Sequence, residues 1–253
     1  MNRRSLLQSF GAAAVGWTCH GSSFSLSAAP SRVESGDLRV GDSLPPSVAG
    51  IRIVDSKIAK AATEFSRSAS PPYLFNHAMR TFLFGSLVGK ATGKRYDEEV
   101  LYLACVLHDL GLTERFAGDL PFEIQGAEAA RKFLGEQDYN KDQTEIVWDG
   151  IAMHCLTIGG YKRPEIALVG EGAGADVLGP DPAQVKKTET AAILEAFPRL
   201  KFKDAFLKNC SDVIERHPHS AGRTFMRDIG ERRVANFHPR NFCDLMAQAP
   251  FDE

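Results

Sequence analysis

The sequence predicts an all-α domain, and three observations carry the prediction. Apolar residues recur with the 3.6-residue period of a helix in eight stretches, no run alternates convincingly with the two-residue period of a strand, and several stretches carry helix start and stop residues. In chain order the stretches are 55–66, 73–92, 97–110, 124–136, 141–155, 164–178, 182–196 and 203–216. Asp97, Glu98 and Glu99 place acidic groups at the positive end of the third helix dipole, Gly111 follows the end of that helix, and Pro198 stops the seventh. About seven to eight helices are therefore expected in one bundle.

The two ends of the chain read differently. Arg3 and Arg4 precede a mild apolar run from Phe10 to Thr18 and the small-residue stretch Ser22 to Ala29. This order resembles a twin-arginine export signal, so residues 1–29 are expected to lie outside the fold and to direct the protein to the periplasm. The run is too short and too small-sided for a stable membrane anchor. Residues 30–48, rich in Ser, Gly and Pro, read as a linker, residues 49–216 as the domain, and residues 217–253 as an irregular tail that packs Phe237, Phe242 and Phe251 onto it.

Composition excludes several classes. With 30 basic and 32 acidic residues the formal charge is −2, so the chain offers no phosphate-neutralising surface and no nucleic-acid partner is expected. A hydrophobic fraction of 43% and a charged fraction of 25% exclude a disordered, collagenous or polytopic membrane chain. Cys105, Cys155, Cys210 and Cys243 are widely spaced in apolar contexts and are read as buried free thiols. The oligomeric state, homo-oligomer included, stays open.

The chemistry is carried by histidines inside predicted helices: His77, His108 and His154. Histidine is a middling helix former, so its recurrence among apolar neighbours needs a reason. His108 is followed at once by Asp109 at the end of a wholly apolar helix, where an ionised carboxylate is costly unless a cation or several donors compensate it. A divalent metal is one compensator, since adjacent residues about 100° apart can converge on one ion at a helix end. Read alone, a His-Asp dipeptide is common, and for His77 the alternative is a core histidine hydrogen-bonded to a backbone carbonyl.

The wider pattern narrows this choice. A helical His77, the His108–Asp109 pair about thirty residues later and the helical Asp176 resemble the H, HD, D pattern of the HD metal-dependent hydrolase superfamily. The words NHAMR at 76–80, ACVLHDLGLT at 104–113, FEIQGA at 122–127, AMH at 152–154 and PEIALVGEGAGADVLG at 164–179 are similar to its cyanamide-hydratase-like branch. The likeness covers roughly residues 50–215. It implies an HD-type helical bundle around one divalent ion, zinc first with iron, manganese or nickel as alternatives, held by His77, His108, Asp109 and Asp176. It also implies a small-molecule substrate, with hydration of a nitrile such as cyanamide to urea as the reaction.

The remaining candidates keep alternatives. Asp109 and His154 are catalytic candidates, with His154 as general acid or base, substrate donor, ligand of a second metal or structural histidine. Asn76, Glu123 and Gln125 are candidates for substrate binding or for orienting the ligands, with solvated surface as the alternative for Glu123 and Gln125, and Arg80 either holds an anionic substrate or pairs with an acid. Asp119, in GDLP at 118–121, resembles a loop of nucleotide-cleaving HD enzymes. It supports an alternative, a phosphohydrolase acting on nucleotides or other phosphate esters. A binding or sensor module that kept the fold is the reading from another class.

Overall fold

The computed structural model describes residues 44–156, 163–221, 224–239 and 241–248. The expected signal at 1–29 and most of the linker at 30–48 lie outside the described residues, as does Phe251. The described residues form one compact unit. Among the described residues it is all-α apart from a two-stranded antiparallel hairpin, β1 Ser47–Val48 and β2 Ile51–Arg52, in which Val48 pairs with Ile51. The hairpin is too short to show a period-2 alternation in the sequence.

Ten α-helices follow: α1 Lys57–Ala69, α2 Pro72–Ala91, α3 Glu98–Leu107, α4 Phe122–Glu136, α5 Lys141–Met153, α6 Pro164–Leu178, α7 Lys187–Ala196, α8 Phe202–Arg216, α9 Phe225–Arg233 and α10 Phe242–Ala247. Local chemistry sets the starts. Ser56 caps α1, Asp97 accepts from the backbone of Glu99 and Val100 to cap α3, and Asn140 accepts from Gln143 to cap α5. α2 and α6 begin on proline, whose missing N–H costs nothing in the first turn. The seventh helix starts at Lys187 rather than at 182, because Asp181 accepts from the backbone of Ala183 and holds the preceding residues in a turn. The third stops at Leu107, where the chain tightens into a 3-10 turn over Leu110–Leu112. The tail is more regular than expected: α9 and α10 lie in it, and Phe237 packs on Gly230. Phe242 is exposed, contrary to the packing expected of it, because α10 buries none of its residues.

α2 is the axis of the bundle: every residue from Leu74 to Gly89 is buried, as in a helix surrounded on all sides. It runs antiparallel to α6, with His77 opposite Asp176, Thr81 opposite Gly172 and Gly85 opposite Leu168. The two backbones approach so closely that a Cβ at Gly172 would lie 2.2 Å from the Thr81 carbonyl oxygen, and one at Gly85 2.6 Å from that of Leu168. At the end of α3 the same device recurs, since a Cβ at Gly126 would lie 2.9 Å from the His108 carbonyl oxygen. These approaches clamp His77, the His108–Asp109 turn and Asp176 into one region. That region sits between the main apolar core and a second cluster formed by Leu74, Leu112, Phe122, Phe202, Phe206 and their neighbours.

Candidate metal centre

His77 projects from the first half of α2, and His108 and Asp109 from the turn that ends α3. All are buried, with 2%, 0% and 4% of their surfaces exposed. The His108 ring has its Nδ1 2.7 Å from the carbonyl oxygen of Cys105, one turn back. That bond puts a proton on Nδ1, so in the neutral ring that a metal ligand requires Nε2 is a lone pair. The His77 ring is fixed in the same way, its Nδ1 donating to Asp176 Oδ2 at 2.7 Å. Both free Nε2 atoms then face Asp109 Oδ2, at 3.4 Å from His77 and 3.3 Å from His108.

Three hydrogen-bond acceptors therefore converge with no proton assigned between them. Their ligand atoms lie within 4.8 Å of one another. His108 Nε2 and Asp109 Oδ2 are both buried without a hydrogen-bond partner. Leaving such atoms unpaired costs a protein free energy, and lone pairs facing one another add repulsion. A cation resolves both terms, so the residues present fit a metal ion. Burial opposes ionisation of Asp109, and positive charge on the facing His108 and His77, which a bound cation would supply in their place, holds the carboxyl well below the usual carboxylate range; the same carboxylate raises the His108 pKa against its burial. Burial lowers the His77 pKa and keeps that ring neutral, as a ligand must be.

Asp176, expected as a fourth ligand, is placed differently. Its Oδ2 accepts from His77 Nδ1, on the side of the ring away from Asp109, and it is absent from the group of atoms that converge. The rest of its carboxylate is taken up by arginines. Arg80 donates from Nε to Oδ1 and from Nη2 to Oδ2, both at 2.8 Å, and Arg199 donates from Nη1 to Oδ1 at 2.9 Å. Arg80 is fully buried and also donates to the carbonyls of Phe197 and Pro198, so its charge faces no substrate space. Asn76 likewise donates to the Pro198 carbonyl at 2.9 Å. Together these groups tie α2 and α6 to the loop before α8, whose Phe202 ring lies 4.8 Å from that of His77.

His154 ends α5 with Nδ1 2.7 Å from the Ile151 carbonyl oxygen, which leaves its Nε2 as the free atom, 4.0 Å from Asp109 Oδ1. Its ring meets that of His108 edge-on at 4.9 Å. Burial, reinforced by His108, pushes its pKa down to about 4. Glu123, in the first turn of α4, is 3% exposed, and neither carboxylate oxygen has a hydrogen-bond partner. Burial raises its pKa, partly offset by Thr224 and Cys155 beside it. Gln125 lies against Gly118, whose Cβ would meet its amide nitrogen at 2.1 Å. Asp119 is 77% exposed in its side chain, and its partner is His217 Nδ1 at 3.1 Å. Residues the sequence did not single out are Arg199, Phe202 and Phe206; nothing local marks them, because their role comes from the fold laying α8 across the end of α2. Cys105 and Cys210 are buried free thiols as read, whereas Cys155 is half-buried and Cys243 exposed.

A family model, the HD domain, matches residues 74–179, the span that runs from the start of α2 to the end of α6 and contains every atom of this cluster. The chain carries an HD domain. It is similar to the cyanamide hydratases DDI2 and DDI3 of Saccharomyces cerevisiae, each 25% identical over 191 residues that cover 72% of this chain and 84% of the relative. An uncharacterized protein of Clostridium beijerinckii is 27% identical over 82 residues, 31% of this chain and 52% of that protein. The match places the HD-domain pattern on α2 to α6, and beyond it the chain is similar to cyanamide hydratases. No helix of the described residues is long and apolar enough to cross a membrane.

Proposed function

We propose that this HD-domain protein is a single-metal hydratase that adds water across the carbon–nitrogen triple bond of a nitrile, with cyanamide, hydrated to urea, as the template substrate. One observation carries the reading: the converging acceptors of His77, His108 and Asp109, with the free Nε2 of His154 facing the same carboxylate. The yeast relatives supply the substrate class.

In this reading His77, His108 and Asp109 hold the ion, and Asp176 orients His77 from behind. Two imidazoles and a carboxylate suit zinc first, and iron, manganese or nickel take the same donors. A divalent ion in that position supplies Lewis acidity, lowering the pKa of a water placed against it. The protein's own residues do the rest. His154, neutral at physiological pH, accepts the proton that leaves the attacking water as its oxygen bonds the nitrile carbon, and returns it to the nitrogen that gains an electron pair. Phe122 and Phe206, both buried, pack against the histidine rings and fix their orientation. The second proton moves from oxygen to nitrogen and the amide results, so atoms and charge balance.

Two of the residues that favoured the phosphohydrolase reading are engaged elsewhere, which supports the hydratase. Arg80 is consumed by Asp176, and Asp119 points to His217 on the surface. Export by residues 1–29 belongs to the same proposal, and fractionation of cells expressing the full chain, with the protein found outside the cytoplasm, checks it. The reaction is tested by purifying the full chain without chelator and following urea formed from cyanamide. Urea that appears with wild type and disappears in Asp109→Ala supports the hydratase; metal-loaded wild type that releases phosphate from nucleotides and forms no urea contradicts it.

A further inference from the structure

Beside the metal cluster lies a cavity of about 490 Å³ that cyanamide, with its few heavy atoms, does not need. It lies within the size range of sites that bury drug-sized ligands. Its inner end is His154, and its outer end is Leu178, 88% exposed. One wall is a single face of α6, where Gly170, Ala173 and Gly174 are small enough to leave a hollow and Val177 and Leu178 make the rim. The other wall holds Phe206 and Phe225, whose rings lie 6.0 Å apart and which border the site, Phe206 against His77 and Phe225 against Phe122.

The cavity has little to offer a charged ligand. Glu171, its one carboxylate, is paired with Lys94 Nζ at 3.0 Å. His154 lines it, and the Nε2 of that residue, 4.0 Å from Asp109 Oδ1, has no hydrogen-bond partner among the described residues. An amphipathic molecule fits this gradient: a polarised head at His154 and an apolar substituent running out along α6 between the phenylalanines.

We infer that the hydratase acts on nitriles bearing an apolar aliphatic or aromatic substituent, and that the α6 cavity is the subsite for that substituent. The inference rests on the hydratase reading for the head group and on the cavity for the tail. Each methylene buried there is worth about a fourfold gain in kcat/KM. Gly174 is the place to test it, since a Cβ there meets no atom within 4 Å and a larger side chain enters the hollow without displacing backbone.

The experiment uses the full-length, metal-loaded chain and a series from acetonitrile through propanenitrile and butanenitrile to pentanenitrile, with wild type and Gly174→Leu. Melting temperatures establish that the variant is folded. The expected result is kcat/KM rising about fourfold per methylene in wild type, and a slope flattened to within about twofold across the series in the variant. Turnover of the nitriles with a flat dependence in wild type overturns the inference and leaves the hydratase standing. If no nitrile is turned over, calorimetry with the corresponding amides decides. Binding that strengthens with chain length and is lost in Gly174→Leu supports the apolar subsite while overturning the nitrile head group, and absence of binding overturns the inference, while urea formed from cyanamide by the same preparation decides the hydratase reading separately.

Discussion

Replacing Asp176 by asparagine separates a residue that orients a ligand from one that is a ligand. The substitution keeps shape and removes charge. In the wild type that carboxylate accepts from His77 Nδ1 at 2.7 Å, twice from Arg80 at 2.8 Å and once from Arg199 at 2.9 Å. An amide presents an NH₂ where one of these donors expects an oxygen, and Arg80, fully buried, loses its counter-charge. Removing one partner of a buried ion pair costs roughly 3–5 kcal/mol. Arg199 is 29% exposed in its side chain and turns to solvent, so the cost falls mainly on Arg80. For a domain of this size the melting temperature then drops by about 6–20 °C. Loss of the carboxylate behind a metal-binding imidazole weakens metal affinity about 10- to 100-fold. The assay pairs circular-dichroism melting with chelator-competition titration of the metal. The expected variant is less stable, binds more weakly, and still reaches the wild-type stoichiometry at saturating metal. A folded variant that never reaches that stoichiometry refutes the positioning role, as does one with unchanged affinity and melting temperature.

Other outcomes follow from the same geometry. Gly172→Val places a branched side chain where a Cβ alone would lie 2.2 Å from the Thr81 carbonyl oxygen, so it destabilises by about 3 kcal/mol or more, and denaturant unfolding checks it. The His154 pKa, lowered to about 4 against an ordinary 6.5, gives a signed pH effect. The unfolded chain takes up this proton as pH falls through about 6.5 and the folded one only near 4, so the contribution is full above about 6.5 and declines below it, by up to about 3 kcal/mol at pH 4. A pH series of denaturant midpoints in wild type and His154→Gln checks it; parallel curves contradict the shift. Asp119→Ala removes only an exposed pairing with His217, so turnover stays within about twofold of wild type, and a large loss in a steady-state assay would restore the phosphohydrolase reading.

The fold was largely legible because its helices are amphipathic or wholly apolar and carry their own caps. Ser56, Asp97 and Asn140 declare their helix starts in one or two residues. Boundaries that depend on tertiary contact were less visible: α7 yields its first turn to the Asp181 side chain, and the tail gains α9 and α10. For the centre, His77, His108 and Asp109 were legible because titratable groups in apolar helices demand compensation. What sequence alone could not show is which face of each side chain meets which partner. Arg80, read as a substrate or ion-pair group, is locked onto Asp176 only because the glycines of α2 and α6 bring the two helices within backbone contact. Arg199 joins them from a loop whose course is set by Pro198 and by the bonds that Asn76 and Arg80 make to its carbonyl.

The most direct test of the account is the metal content of the full chain, purified without chelator, measured by mass spectrometry in wild type and in His108→Ala with folding checked by circular dichroism. The account predicts about one divalent ion per chain in wild type and almost none in the folded variant, because His108 Nε2 and Asp109 Oδ2 have no other partner. Metal-free wild type that stays metal-free after incubation with zinc, iron, manganese or nickel, or equal content in the two proteins, would contradict it.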